Sequence, residues 1–273
     1  MTAIVRAVAM ARLGSTVAPS RPMTEIVPVW TEDFRVRSYE VDARGEATAA
    51  ALCNYLQEAA DRHAASYGVA VDQIVATHGE TWVLHRLALR VRRPPRRREA
   101  LRVETWPCGR ERLYAVREYR LLDADGATVA EGASAWLVID PVARRLLRSP
   151  RTSLDWRSER ERAWPGAFRE KIAPPSGATR AEALAVRRSD IDVNEHANHV
   201  HFVSWALEAL PEALARTSRL ESVEVEYVAE ALAGDGLVVR AAPEAGGARW
   251  LHEIARAGDG AVLARARSAW SPR

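Results

Sequence analysis

At 273 residues the chain is long enough to bury about three quarters of its unfolded surface, so its core needs no disulfide or metal staple. Hydrophobic residues make up 48% and charged residues 27%, which excludes general disorder, and no apolar run approaches the length of a membrane-spanning helix. The net charge of +3 comes from Arg6, Arg12 and Arg21 in an acid-free opening segment, so the body is balanced and bulk charge gives no argument for nucleic-acid binding.

Residues 1–22, with Ala, Arg and Ser and no acid, resemble a targeting peptide but lack the apolar core of a secretory signal, and read more readily as a disordered extension or an upstream mis-assigned start, with Met23 as the alternative start. Cys53 and Cys108 are too few for a disulfide framework or, alone, a zinc site, and the expected compartment is a reducing cytoplasm. A strand is expected at about 34–41, a long helix at about 46–67, and then strands with period-two alternation such as Trp82 to Arg90. Asp125-Gly126 marks a hairpin turn. Residues 143–182, rich in Arg, Ser, Glu and Pro, read as a connection with room for a short helix. The pattern then restarts, with a strand at about 184–191, a helix at about 197–216 and a hairpin turn at Asp259-Gly260. Val200, Val203, Trp205, Leu207 and Leu210 give the second helix the broad apolar coverage of a buried element.

The restart is a duplication. Residues Phe34 to Ala60 align without gaps with Leu184 to Leu210 at an offset of 150, matching Val36, Arg37, Asp42, Ala47, Glu58 and Ala59 to Val186, Arg187, Asp192, Ala197, Glu208 and Ala209. A second pair, Leu84 to Pro107 against Leu220 to Pro243, follows at an offset of 136, and Ser134-Ala135-Trp136 recurs as Ser268-Ala269-Trp270 at 134. Three pairs in one order, with slowly drifting offset, imply two copies of one α+β unit: a strand, a long helix, then an antiparallel sheet wrapping the helix. The expected domains are 23–142 and 183–273, joined by 143–182.

The copies differ at the strand–helix turn. The first reads Asp42-Ala43-Arg44-Gly45-Glu46 and the second Asp192-Val193-Asn194-Glu195-His196. In an extended segment alternate residues share a side, so Asp192, Asn194 and His196 can converge at a helix N-terminus, whose unpaired N–H groups suit an anion. The same residues also suit an ordinary capped helix, with Asn194 or Asn198 as N-cap. His199 and His201 fall on different sides of a helix, and the order Glu195-His196-Ala197-Asn198-His199 is not that of zinc proteases, so neither a metal nor a cofactor is expected. There is no nucleophile elbow, phosphate loop or dinucleotide fingerprint. Cys53, within the first helix, reads as a small buried hydrophobe. Six arginines between Arg90 and Arg98 make either a solvated turn or a patch for an anionic partner, for which an acidic carrier protein or a phosphopantetheine phosphate fits better than nucleic acid.

Residues 29–270 resemble the acyl-acyl carrier protein thioesterases of plants and bacteria. The resemblance rests on Arg37 to Val41, Asn54 to Ala59, Trp82 to Leu84 and above all Asp192 to Val200 with Trp205 and Glu208. It implies two fused hot-dog domains and hydrolysis of a fatty acyl-carrier thioester to free acid and carrier thiol. By the same resemblance the catalytic set is Asp192, Asn194, His196 and Glu230, the last from the next strand, and the position after it is Ala231 where plant members commonly have Cys. The first copy, with Arg44 and Glu46, is then non-catalytic and holds the acyl chain, with Leu52, Leu56, Trp82 and Leu84 as lining residues or equally as ordinary core. The carrier-protein patch would be Arg92, Arg93, Arg96, Arg97 and Arg98. Competing readings are an acyl-CoA thioesterase or dehydratase of the same fold, a non-catalytic acyl-carrier binding protein, and a nucleic-acid binder acting through Arg90 to Arg98. A double hot-dog is compatible with both a monomer and a homodimer.

Overall fold

The computed structural model describes residues 27–152, 157–177 and 180–273. The expected extension at 1–22 lies outside them.

The first half opens with β1 (Trp30–Arg35) and a turn into α1 (Ala49–Ser66). Thr48 caps α1 by accepting the Ala51 N–H at 3.1 Å, which satisfies one of the free donors of its first turn. Leu52, Leu56, Ala59 and His63 recur every three or four residues and are all buried, so this face of α1 enters the core. A short α2 (Val71–His78) leads to β2 (Thr81–Val91), followed by β3 (Ala100–Glu111), β4 (Tyr114–Leu122) and β5 (Thr128–Asp140). The predicted turn at Asp125-Gly126 joins β4 to β5, with Gly126 at φ 80°. β6 (Arg145–Leu146) pairs with the end of β5.

The second half repeats the plan with β7 (Arg180–Ala185), α3 (His199–Glu208), α4 (Glu212–Thr217), β8 (Ser218–Tyr227), β9 (Gly236–Pro243), β10 (Arg249–Arg256) and β11 (Val262–Pro272). The helix expected over 197–216 is two helices. Pro211 divides them, because it lacks an N–H and its ring clashes with the preceding turn of a continuous helix. The first strands of the two halves start four residues earlier than the alternation suggested, and they end at Arg35 and Ala185 because Val36 and Val186 already belong to the turns that follow. β6 and the start of β7 fall inside the expected connection, in which the described residues form no helix.

All pairings between these strands are antiparallel, and they form one eleven-stranded sheet in the order β1-β3-β4-β5-β2-β8-β11-β10-β9-β7, with β6 beside β5. The halves meet where β2 pairs with β8, Leu87 opposite Val225 and Leu89 opposite Val223. Each half is a helix wrapped by an antiparallel sheet, the tandem hot-dog of the α+β expectation. The helices share one core: Leu52, Leu56 and Ala59 of α1 belong to the same buried cluster as Val200, Phe202, Val203 and Ala206 of α3. Gly132 lets β5 pass close beneath α1, because a Cβ there would sit 2.7 Å from the Leu56 Cδ1.

The connection packs on the other side of the sheet. Trp164, Ala167 and Phe168 cover Ala88 and Ala133. Fully buried Glu118 accepts from the Arg162 Nε at 2.7 Å and the Trp164 N–H at 2.8 Å. Removing one partner of such a buried pair costs about 3–5 kcal/mol, so the connection is clamped, not a free tether. Arg86 of β2 pairs with Glu224 of β8 across the seam and donates to the carbonyls of Phe168 and Glu170, tying both halves and the connection at one point.

Candidate active site

The turn before α3 is built by Asp192. Its backbone N–H donates to the His196 carbonyl at 3.0 Å, and the Glu195 N–H returns to the Asp192 carbonyl at 3.0 Å. Glu195 adopts φ 63°, a left-handed conformation that lets the chain reverse within four residues. One Asp192 oxygen accepts the Asn194 N–H at 2.8 Å and the other faces the Asn198 side-chain amide at 3.4 Å. Asn198 is the N-cap of α3, accepting the Val200 N–H at 3.1 Å, and its amide also faces Gln57 of α1 at 3.5 Å. Asp192 is therefore tied at once to the turn and to the helix cap. The Asn194 side-chain amide has no protein partner among the described residues. The His196 Nδ1 lies 3.5 Å from the Ala197 carbonyl, too long to hold the ring, so both groups are available to a ligand.

The first half repeats the backbone frame of this turn. Asp42 N–H donates to Glu46 O at 2.8 Å, Gly45 N–H to Asp42 O at 2.9 Å, and Arg44 N–H to the Asp42 carboxylate at 2.8 Å. Gly45, at φ 75°, stands where Glu195 does. The side chains have another use. Arg44 donates to the last carbonyls of α4, Ala215 at 3.1 Å and Arg216 at 2.8 Å, and Glu46 pairs with Arg273 at 2.9 Å. One turn presents an amide and an imidazole, and the other clasps the opposite half.

Glu230 does not lie on the next strand. β8 ends at Tyr227, and Glu230 sits in the loop that follows. The strand stops there because the Val228 and Ala229 N–H groups both turn back to the Leu263 carbonyl. The Ala197 N–H donates to the Ala231 carbonyl at 2.8 Å, which stitches this loop to the residue after His196. Four residues that the sequence separates into two blocks thus occupy one end of the sheet. Arg256 fixes the loop by donating to the Glu230 carbonyl at 3.1 Å, and the Glu230 carboxylate pairs with Arg144 at 2.9 Å. Arg144 comes from the turn after β5, in the other half. Nothing in the sequence ties it to Glu230, 86 residues away, so pattern reading missed it.

Behind the turn the interior is neutral. Burial pushes the His199 pKa down to about 4 and the Cys53 thiol up to about 12, and the Tyr227 hydroxyl, its own pKa raised by burial, donates to the His199 carbonyl at 3.2 Å. Among the described residues no three His, Cys, Asp or Glu side chains are grouped to hold a metal ion.

The other singled-out residues are placed as follows. Leu52 and Leu56 are fully buried and Leu84 packs against the same core. Trp82 is partly buried, its indole N–H donating to the Val69 carbonyl at 2.9 Å. In the arginine run, Arg92 pairs with Glu131 at 2.9 Å, Arg93 with Glu99 at 2.7 Å and Asp123 at 2.9 Å, and Arg96 with Glu46 at 3.8 Å. Arg97 and Arg98 keep exposed side chains without a carboxylate partner among the described residues. The run carries fewer free cations than its composition suggests.

Comparison with known proteins gives a consistent result. The family model for the acyl-ACP thioesterase N-terminal domain matches residues 28–153, and that for the C-terminal domain matches 175–272. The chain is 28% identical to oleoyl-acyl carrier protein thioesterase 1 of Arabidopsis thaliana, covering 95% of this chain and 78% of the relative. It is 27% identical to the palmitoyl-acyl carrier protein thioesterase of the same plant, covering 90% and 64%. An acyl-ACP thioesterase structure from Bacteroides thetaiotaomicron superposes with a TM-score of 0.80 at 27% identity, covering 89% of this chain and 98% of that one. The 12:0-ACP thioesterase of Umbellularia californica shares the fold, with a TM-score of 0.75 at 23% identity over 90% and 94% of the two chains. With both halves matched in order over most of its length, the chain belongs to the acyl-acyl carrier protein thioesterase family, a family of thioester hydrolases.

Proposed function

We propose that the protein hydrolyses fatty acyl-acyl carrier protein to free fatty acid and carrier thiol, using the second half for chemistry and the first for the acyl chain. The observation that carries this reading is the asymmetry of the two turns. The same hydrogen-bonded frame presents Asn194 and His196 to a ligand in one half and spends Arg44 and Glu46 on structure in the other.

The thioester carbonyl lies at the start of α3. There the Val200 N–H is taken by the Asn198 side chain, while the His199 N–H keeps no acceptor among the described residues and points to a developing oxyanion with the helix dipole behind it. Asn194 positions the thioester. Asp192 holds the backbone of Asn194 and the cap, and so fixes the turn from which Asn194 and His196 project. Glu230, in the loop that Ala231 bonds to Ala197, takes a proton from water as the water oxygen bonds to the carbonyl carbon. The carbon–sulfur bond then breaks, and the sulfur receives a proton relayed through His196. Ala231 in the following position leaves no cysteine there to act as nucleophile.

The test is thiol release from acyl-carrier protein by wild type, Glu230→Gln and His196→Ala. General acid–base groups contribute about 10²–10⁴-fold, so each variant should lose at least about a hundredfold in kcat while keeping the wild-type unfolding temperature within a few degrees. Near wild-type turnover in either variant refutes its role.

A further inference from the structure

If the substrate arrives on a carrier protein, the carrier must seat its tethered thioester at the mouth of the site. The Arg90–Arg98 run does not meet that need. Its backbone is bonded to the silent turn, through Arg97 N–H to Gly45 O at 2.9 Å and Ala47 N–H to Pro95 O at 2.7 Å. It leaves β2 at the Val91 end, whereas the Glu230 loop and the turn after β5 lie at the Thr81 end, where Thr81 pairs with Ile139. At about 3.3 Å per residue the strand separates the two ends by roughly 30 Å.

A second cationic stretch lies at the Thr81 end. Residues 141–154 carry Arg144, Arg145, Arg148 and Arg151 and no acidic residue. The stretch leaves β5 through a turn held by the Asp140 carboxylate, which accepts the Val142 and Ala143 N–H groups, and returns as β6. Arg144 is committed to Glu230. Arg145 and Arg148 are exposed and have no carboxylate partner among the described residues.

The exposed apolar side chains point to the same place. Val142, Leu146, Val193, Val228 and Leu232 are five of the eight large hydrophobic residues that stand out into solvent among the described residues, Val193 at 91% exposure. Each is within two residues of Arg144, Asn194 or Glu230. Single exposed apolar residues are ordinary, but several of them flanking the groups of one proposed site, beside cations without a carboxylate partner among the described residues, have the composition of a docking surface.

We propose that this rim, with Arg145 and Arg148 as its basic border, is the surface on which the acidic carrier protein docks. The assignment rests on the acyl-carrier reading of the site and adds to it the place where the carrier sits. The exposed apolar side chains pack against the root of the carrier's prosthetic arm, and the two arginines meet its carboxylates, which sets encounter rate and orientation more than chemistry.

The experiment uses the full chain and two substrates with one acyl group: the acyl-carrier protein and the acyl thioester of N-acetylcysteamine, which has no carrier to dock. The Arg145→Glu/Arg148→Glu variant should lose about tenfold or more in kcat/KM on the carrier substrate, with a weakened salt dependence, and keep its rate on the small thioester. Arg145→Gln/Arg148→Gln should show a smaller loss of the same kind, and Arg97→Glu/Arg98→Glu should show none. An unchanged carrier rate in the Arg145/Arg148 variants, a loss that moves to the Arg97/Arg98 variant, or equal loss on both substrates would each overturn the assignment. Wild type that cleaves the small thioester and ignores the carrier substrate would instead overturn the acyl-carrier reading, and this surface with it.

Discussion

The two turns provide an internal control for the role of Asp192. In Asp42→Ala the chain loses two bonds from backbone N–H groups to a carboxylate, those of Arg44 at 2.8 Å and Glu46 at 3.0 Å. In Asp192→Ala it loses one such bond, from Asn194 at 2.8 Å, and a weak one from the Asn198 amide at 3.4 Å. Hydrogen bonds to a charged group are worth about 1.5–3 kcal/mol each, and both turns are open enough to solvent to fall at or below the lower end. The loss should be about 2–3 kcal/mol for Asp42→Ala and about 1–2 kcal/mol for Asp192→Ala. For a chain of this size each kcal/mol lowers the unfolding temperature by roughly 2–4 °C, so Asp42→Ala is expected to be the less stable protein. Activity should rank the other way. Asp192→Ala releases the Asn194 backbone and the Asn198 cap, which flank His196, and should cost about a hundredfold or more in kcat, while Asp42→Ala should stay within about threefold of wild type. The assay pairs thermal unfolding by circular dichroism with thiol release well below both transitions. If Asp192→Ala kept its turnover, or if the two variants lost turnover in proportion to their stability, the turn would be a structural feature and the site assignment would fall.

Two further results are expected. His252 is fully buried with its Nε2 2.9 Å from the Ser268 Oγ, and burial pushes its pKa down to about 4. The neutral ring favours the folded state, so its contribution is fully present above the unfolded value of about 6.5 and is lost as pH falls from there toward 4, by about 1.4 kcal/mol per pH unit. His252→Gln, which keeps a donor near Ser268, should flatten the stability–pH curve across that window; an unchanged slope in urea unfolding would refute the assignment. Cys53 and Cys108 both have thiols pushed up to about 12, chiefly by burial, so neither forms a thiolate at neutral pH. Iodoacetamide should leave the native enzyme active and Cys53→Ser should turn over normally, and rapid inactivation of wild type alone would show a reactive thiol.

Much of the fold was legible because a duplicated sequence states its pattern twice. The 46–67 helix was readable from apolar spacing and a threonine cap, and both Asp-Gly turns fell where glycine takes a positive φ, Gly126 at 80° and Gly260 at 71°. The boundaries that moved did so for local reasons. Pro211 cut a helix that apolar spacing alone would continue, and the first strands ended at Arg35 and Ala185, where the chain turns under carboxylates such as Asp190, which accepts the Arg187 N–H at 2.8 Å. At the candidate site, the turn that carries Asp192, Asn194 and His196 was readable because they are close in sequence. Arg144 and Arg256 were not, since the pairings of β5 with β2 and β2 with β8 bring the first beside Glu230, and those of β10 with β11 and β11 with β8 bring the second. The arginine run looks more cationic in sequence than in the fold for the converse reason: Glu131 and Asp123, which neutralise part of it together with the neighbouring Glu99, are brought to it only by the sheet.

The divergence of the copies also explains why the proposed chemistry sits at the seam. Joining two like units side by side through β2 and β8 creates two equivalent turns, each facing the end of the other unit. In the first turn Arg44 and Glu46 reach across to α4 and to Arg273, and the contact becomes structural. In the second turn the reach is reversed, and Arg144 crosses from the opposite unit to the carboxylate of Glu230. The same pair of positions that removes reactive groups from one turn supplies the bonds that hold the units together. Restoring Asn and His at 44 and 46 would therefore remove three cross-seam hydrogen bonds before it created a second site, and no partner equivalent to Glu230 would be waiting, because Pro94 occupies its place at the offset of 136. A single turn with a free amide and imidazole is thus fixed by the architecture of the seam as well as by the residues proposed to perform the reaction.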